Sequence, residues 1–169
     1  MAFVYLGLGA NQGDSADTVL AAFRRLEAIL DEARLSRLWR SRARYVADQP
    51  DFVNAVACGR TDSSPRELLR SVNAIEADFG RDRGKERPKG PRPLDIDILL
   101  YDELLVVEPD LIIPHPGLAE RKFVLLPLLE LAPDLVHPAT GEPLLAIVES
   151  LPPQGIYLVH APRYDRLYI

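Results

Sequence analysis

Asp95 and Asp97, in the stretch GPRPLDIDILLYD at residues 90–102, are the residues of this 169-residue chain whose types and spacing most directly suggest chemistry. The stretch otherwise reads as a buried strand, and side chains alternate faces along a strand. Ile96, Ile98 and Leu100 are therefore expected on one side and the two carboxylates on the other. Roughly 7 Å apart at an effective dielectric of about 20, two full negative charges repel by roughly 2–3 kcal/mol. Such a pair calls for a proton or a cation between its members, and a hard divalent ion with oxygen ligands, Mg²⁺ above all, suits it.

The residues around the pair point the same way. The segment RDRGKERPKGPRP (81–93) holds Arg81, Arg83, Lys85, Arg87, Lys89 and Arg92 against Asp82 and Glu86, a local charge of +4 in a chain of net charge −5. A basic loop with Gly and Pro that feeds an acidic pair suggests phosphates bridged to the protein by metal. Taken alone, the same loop fits a solvated surface. His115 stands between Pro114 and Pro116, which hold its backbone, with Arg121 six residues on. That arrangement suits phosphate binding, and equally a histidine on a surface loop.

Other chemistries find little support. Gly7, Gly9 and Gly13 have the spacing G-x-G-x-x-x-G rather than the dinucleotide fingerprint G-x-G-x-x-G, and there is no Walker A run. The DFG triplet at 78–80 closes a helical pattern and lacks its kinase partner motifs. One cysteine, with His137 and His160 at unhelpful spacings, argues against zinc. The net negative charge argues against a nucleic-acid coat. No apolar stretch reaches the length of a membrane span. The lone Cys58 and the plain N-terminus lead to an expected cytoplasmic protein.

The elements that must position these residues can be read from periodicity. One domain covering 1–169 is expected, and 47% hydrophobic content is enough for a core. Residues 2–9 read as a strand, 15–31 as a helix capped by Asp14 or Ser15, 34–42 as a weaker strand, and DFVNAVACGRT as a clearer one with Phe52, Asn54, Val56 and Cys58 on one face. SSPRELLRSVNAIEADFG is the best helix, with Ser64 as cap, Pro65 first, Glu67 in the first turn and Gly80 as stop. The strand at 94–101 is expected to turn at Asp102 and Glu103 and pair with LLVV. Short helical patterns and a last strand near GIYLVH follow. Two helices on one face of a largely antiparallel sheet make an α+β, ferredoxin-like layout.

GPRPLDIDILLYD, IPHPGLAERKFVLLPLLELAPDL, QPDFVNAV and the opening LGLGANQGD together resemble the 6-hydroxymethyl-7,8-dihydropterin pyrophosphokinase family of folate biosynthesis. The resemblance spans residues 3 to about 138 in order, and P-R-x-L-D-[IL]-D is its most specific motif. It implies a monomeric α/β/α sandwich that moves the β,γ-pyrophosphoryl group of ATP, as co-substrate, to the pterin hydroxymethyl group and releases AMP. By that resemblance, Asp95 and Asp97 would bind two Mg²⁺ ions bridging the ATP phosphates, and Asp95 would also take or polarise the hydroxyl proton. Arg81, Arg92, His115 and Arg121 would contact phosphates. Asn73, Glu76, Arg83 and Ile98 would line the nucleotide site. Ser41, Phe52, Asn54 and Phe123 would form the pterin slot, and the loops at 42–50 and 81–93 would close over the substrates. Lys89 stands where many members place a tryptophan, and the run RSRARYVADQP lacks the family's common T-P-P-x-G.

Two other readings remain open at this point. A nucleotidyltransferase also uses an apolar-Asp-apolar-Asp strand, but with a Gly-Ser turn upstream, where this chain reads GRDRGKERPKG. A ferredoxin-like regulatory module would bind nucleotide without turnover.

Overall fold

A computed structural model describes residues 1–43 and 48–159. Residues 44–47 of the expected closing loop, and His160, lie outside them. The chain order is β1 (Ala2–Ala10), α1 (Ser15–Leu26), β2 (Asp31–Leu35), β3 (Trp39–Ser41), β4 (Phe52–Thr61), α2 (Pro65–Asp78), β5 (Asp95–Tyr101), β6 (Val106–Glu108), β7 (Leu111–Ile113), α3 (Lys122–Leu131), α4 (Leu144–Ser150) and β8 (Ile156–Leu158). The main sheet runs β5-β1-β4-β3-β8, with β2 also on β4, and every pairing in it is antiparallel. This is the expected ferredoxin-like α/β/α sandwich.

The alternation of β1 shows why there are two cores. Val4, Leu6 and Leu8 face one side and pack with Val53, Ala55, Ile96 and Ile98 under α1 and α2. On the other side Val56 and Leu99 pack under α3 and α4 through Leu125, Leu128 and Leu144. The helices form where the sequence marks them. Asp14 caps α1 by accepting from the Asp17 N–H. Ser64 and Glu67 make a reciprocal capping box at α2, with Pro65 in the first turn. Gly80 then takes φ 88°, the left-handed conformation that ends a helix cheaply only at glycine.

Four local expectations are corrected. The first helix stops at Leu26, not near residue 31: the N–H groups of Ile29 and Leu30 both turn back to the Leu26 carbonyl, and β2 begins at Asp31. Its apolar spacing runs on because Ile29 and Leu30 still pack on the core from within the turn. The weak strand at 34–42 is two strands, β2 and β3, separated at 36–38. LLVV does not pair with β5. Val106–Glu108 pairs with Leu111–Ile113 as a separate ribbon, while β5 takes β1 as its neighbour. Leu100 leaves the row of Ile96 and Ile98, because the β1–β5 register shifts between Tyr5 and Leu6. That bulge places Leu99 and Leu100 together in the α3–α4 core.

Candidate active site

Strand pairing decides where the catalytic types meet. Gly9 lies opposite Asn54 of β4 and opposite Asp95 of β5, and Gly7 lies opposite Val56 and Asp97. Directly opposed residues share a face, so two glycines separate the carboxylates from Asn54 with no side chain between them. A Cβ on Gly9 would stand 3.3 Å from Asn54 Oδ1, and one on Gly7 3.3 Å from Leu99. The G-x-G that fails as a nucleotide fingerprint is thus the bare floor of a cleft. Ser41, Phe52, Asn54, Arg92, Asp95, Asp97, Arg121 and Phe123 wall this cleft, which opens to solvent.

The two aspartates differ in their surroundings. Asp95 has both oxygens engaged: Arg81 Nη1 donates to Oδ1 at 2.5 Å and Arg92 Nη1 to Oδ2 at 2.9 Å. Behind it, Glu76 is 1% exposed and accepts from Arg81 Nη1, from Arg83 Nη2 and from the Ile96 N–H. Burial pushes the Glu76 carboxyl up in spite of these donors. Glu86 accepts from Arg81 Nε, and Asn73 Oδ1 accepts from Arg83. Asp97 is bare by comparison. Water reaches 37% of its side chain and protein encloses the remainder. That enclosure, and then the charge of Asp95, push its carboxyl up to about 7 against the pull of Arg121.

His115 Nε2 stands 3.6 Å from Asp97 Oδ2. Its Nδ1 accepts the Gly117 N–H at 3.0 Å, which leaves Nε2 to carry the proton toward Asp97. Burial, then the charge of Arg121, lower the imidazole pKa, so the ring is neutral near pH 7. Arg121 lies against Phe123, with its guanidinium carbon 5.8 Å from the ring centre. Nε of Arg92 and Nε of Arg121 are buried with no hydrogen-bond partner among the described residues. Buried donors of this kind on a cleft wall call for an acceptor brought by a ligand, and phosphate oxygens fit arginine best. On the opposite wall Asn54 Nδ2 donates to Ser41 Oγ at 2.8 Å.

The expected site residues therefore fall into three groups. Ser41, Phe52, Asn54, Arg92, Asp95, Asp97, Arg121 and Phe123 come together in the cleft. Outside that lining, Arg81 bonds Asp95, Glu76 accepts from Arg81 and the Ile96 N–H, Arg83 and Asn73 join onto Glu76, and His115 Nε2 lies 3.6 Å from Asp97 Oδ2. The Ile98 side chain is not brought to the cleft, being buried on the α1–α2 side of the sheet. Sequence reasoning missed Asn11, which is 1% exposed. Its Oδ1 accepts the Arg92 N–H at 2.8 Å, while its Nδ2 donates to Gln49 Oε1 and to the Pro50 carbonyl. Gln49 in turn donates to the Lys89 carbonyl. One asparagine thus joins the three loops at the cleft rim. Its only signal was its place in the turn GANQGD, next to the strand that carries both glycines.

No cluster of three or more metal-ligating side chains occurs among the described residues. Two carboxylates with unequal engagement suit an ion that takes its other ligands from substrate and water, as Mg²⁺ does.

A ferredoxin-like sandwich with carboxylates and arginines on one side of a cleft and an amide on the other presents a candidate small-molecule site. A model of the family described as 7,8-dihydro-6-hydroxymethylpterin-pyrophosphokinase (HPPK) matches residues 5–133, and the chain belongs to that family. It is 42% identical over 145 residues to the 2-amino-4-hydroxy-6-hydroxymethyldihydropteridine pyrophosphokinase of Aquifex aeolicus, covering 85% of this chain and 89% of that protein. It is also 45% identical over 159 residues to the folic acid synthesis protein fol1 of Schizosaccharomyces pombe, covering 91% of this chain but only 21% of that much longer protein. The HPPK-DHPS structure of Plasmodium falciparum superposes with a TM-score of 0.67 at 15% identity, over 88% of this chain and 43% of that one, and shows the shared fold. Among the described residues no helix is long and apolar enough to cross a membrane.

Proposed function

We propose that this chain is an ATP-dependent pyrophosphokinase of folate biosynthesis, which moves the β,γ-pyrophosphoryl group of ATP to 6-hydroxymethyl-7,8-dihydropterin. Membership of the pyrophosphokinase family supports the reaction. The observation that carries the site assignment is the cleft itself, where a carboxylate pair and Arg92 face Asn54 and Phe52 across a glycine floor, Arg121 lies over Phe123, and Nε of both arginines has no partner among the described residues.

Phe52 and Phe123 sandwich the flat heterocycle, and Asn54 with Ser41 bonds its polar edge. The pterin hydroxyl oxygen bonds to the β-phosphorus, the bond from that phosphorus to the bridging oxygen of the α-phosphate breaks, and AMP leaves with that oxygen. The hydroxyl proton departs toward the carboxylate pair. Arg92 and Arg121 bind phosphate oxygens and orient them for in-line attack, and Arg81 and His115 hold Asp95 and Asp97 in place. Asp95 and Asp97 would hold two Mg²⁺ ions, which neutralise phosphate charge when bound. No side-chain nucleophile is needed. One domain spanning the chain and acting as a monomer contains the site, and the unpaired buried Cys58 agrees with a reducing, cytoplasmic setting.

The deciding experiment measures AMP release from ATP and Mg²⁺, with and without the pterin. AMP that appears only with the pterin is expected. Pyrophosphate instead of AMP would indicate nucleotidyl transfer, and neither product a binding module.

A further inference from the structure

Arg121 sits at a structural junction. It is the N-cap residue of α3, with extended backbone (φ −119°, ψ 104°) and no side-chain cap bond of its own. Its side chain nonetheless has to point into the cleft, over Phe123. Freedom of one backbone torsion at this residue would swing the guanidinium by several ångströms, because the group lies at the end of a long side chain.

The helix holds the Arg121 carbonyl, which accepts from the Val124 and Leu125 N–H groups, and a side chain from outside the helix holds the neighbouring peptide groups. The Lys122 N–H donates to Gln154 Oε1 at 2.9 Å, and Gln154 Nε2 donates to the Glu120 carbonyl at 2.9 Å. A single primary amide therefore bonds the peptide groups on both sides of Arg121, and it also satisfies the first orphan N–H of α3. Gln154 is half-buried, and it is held in turn two residues before Ile156, which pairs with Ser41 in the β3–β8 ladder. Two cleft walls, the one carrying Ser41 and the one carrying Arg121, are thus joined through one side chain. Gln154 lies beyond residues 5–133, the part of the chain matched by the family.

We propose that Gln154 is a positioning residue for pyrophosphoryl transfer, setting the direction of the Arg121 guanidinium by fixing the backbone on either side of it. The inference rests on the phosphate-binding role given to Arg121 above. The amide contributes no group to the substrates. Its effect should appear in use of the nucleotide and leave the pterin slot nearly unchanged.

The test compares Gln154→Ala and Gln154→Met, the second keeping side-chain volume without the hydrogen bonds, in the wild-type and Arg121→Ala backgrounds. Measured are kcat/KM for ATP, KM for the pterin, affinity for a non-hydrolysable ATP analogue with Mg²⁺, and hydrogen exchange at the Lys122 amide. Losing two neutral hydrogen bonds that orient a charged group should cost about tenfold in kcat/KM for ATP and in analogue affinity. The pterin KM should stay within about twofold, the Lys122 amide should lose protection, and neither substitution should add to the Arg121→Ala defect. An undiminished kcat/KM in Gln154→Met with the amide exposed would overturn the proposal, as would an equal loss in the Arg121→Ala background. If the wild-type protein releases no AMP but Gln154→Met still weakens analogue binding only when Arg121 is present, the reaction assignment fails and the positioning role stands.

Discussion

The Glu76 carboxylate accepts the backbone N–H of Ile96, the residue between the two aspartates, at 2.8 Å. One side chain of α2 thereby fixes where β5 presents Asp95 and Asp97. Glu76→Ala leaves that buried N–H without an acceptor and takes from Arg81 one of its three carboxylate partners, and should destabilise the fold by on the order of 3 kcal/mol. Glu76→Gln keeps an acceptor for Ile96 and should lose less. Urea unfolding of the two variants checks the order, and equal losses would mean that the hydrogen bond to Ile96 contributes nothing.

The pH dependence of stability follows from Asp97. Its folded pKa, about 7, is above the ordinary 3.8, so the native state keeps a proton that the unfolded chain releases. Below the unfolded value both states hold the proton and the group is neutral to stability. From about pH 4 to 7 the native state becomes steadily less favoured, and above 7 the loss is complete. Water reaches part of the side chain, so the slope should be less than one full proton. Asp97→Asn should flatten the metal-free stability profile in that window; a slope identical to that of the parent protein would refute this.

Asp97→Ala should abolish turnover while leaving the fold intact, since it removes a proposed metal ligand and relieves its repulsion with Asp95. Circular dichroism and AMP release, measured together, test this. A variant with near-normal rates would eliminate the two-metal arrangement.

Arg92 bridges the basic loop and Asp95 with an Nη1–Oδ2 contact of 2.9 Å. Arg92→Ala should lower kcat by about a hundredfold, the scale seen when one oriented charge-stabilising donor is removed, with a much smaller change in pterin affinity. Loss of pterin binding at unchanged kcat would contradict the role.

Asn54, whose Nδ2 donates to Ser41 Oγ, is the polar wall of the proposed pterin slot. Asn54→Leu should weaken pterin binding about tenfold or more, because the heterocycle's polar edge would lose its partner in a buried place. Nucleotide-analogue affinity should be unchanged, and calorimetry with each ligand separates the two.

Much of this was legible in the sequence for physical reasons. The capping box at Ser64 and Glu67, the glycine stop at residue 80 and the strand bearing Asp95 and Asp97 are local patterns, and local patterns survive folding. The partner of β5 was not legible, because a turn at Asp102 fits a hairpin as well as it fits the observed bonds between Asp102 and Phe3. The supporting network was legible only as a basic loop: nothing local distinguishes Arg81, buried against three carboxylates, from Lys85, which stays exposed. Asn11 and Gln154 act across 81 and about 32 residues of sequence through single amides, and such contacts leave no periodicity to read.

The bulge in β5 changes how related sequences should be aligned along this strand. Up to Ile98, odd positions answer to the cleft and even ones to the α1–α2 core; after the extra residue the parity inverts, and Leu100 is chosen by α3 and α4 while Tyr101 returns to the first core. A one-residue deletion at 99 would restore strict alternation and keep Leu100 and Tyr101 on their present sides, taking one buried leucine from the α3–α4 core and leaving both aspartates untouched.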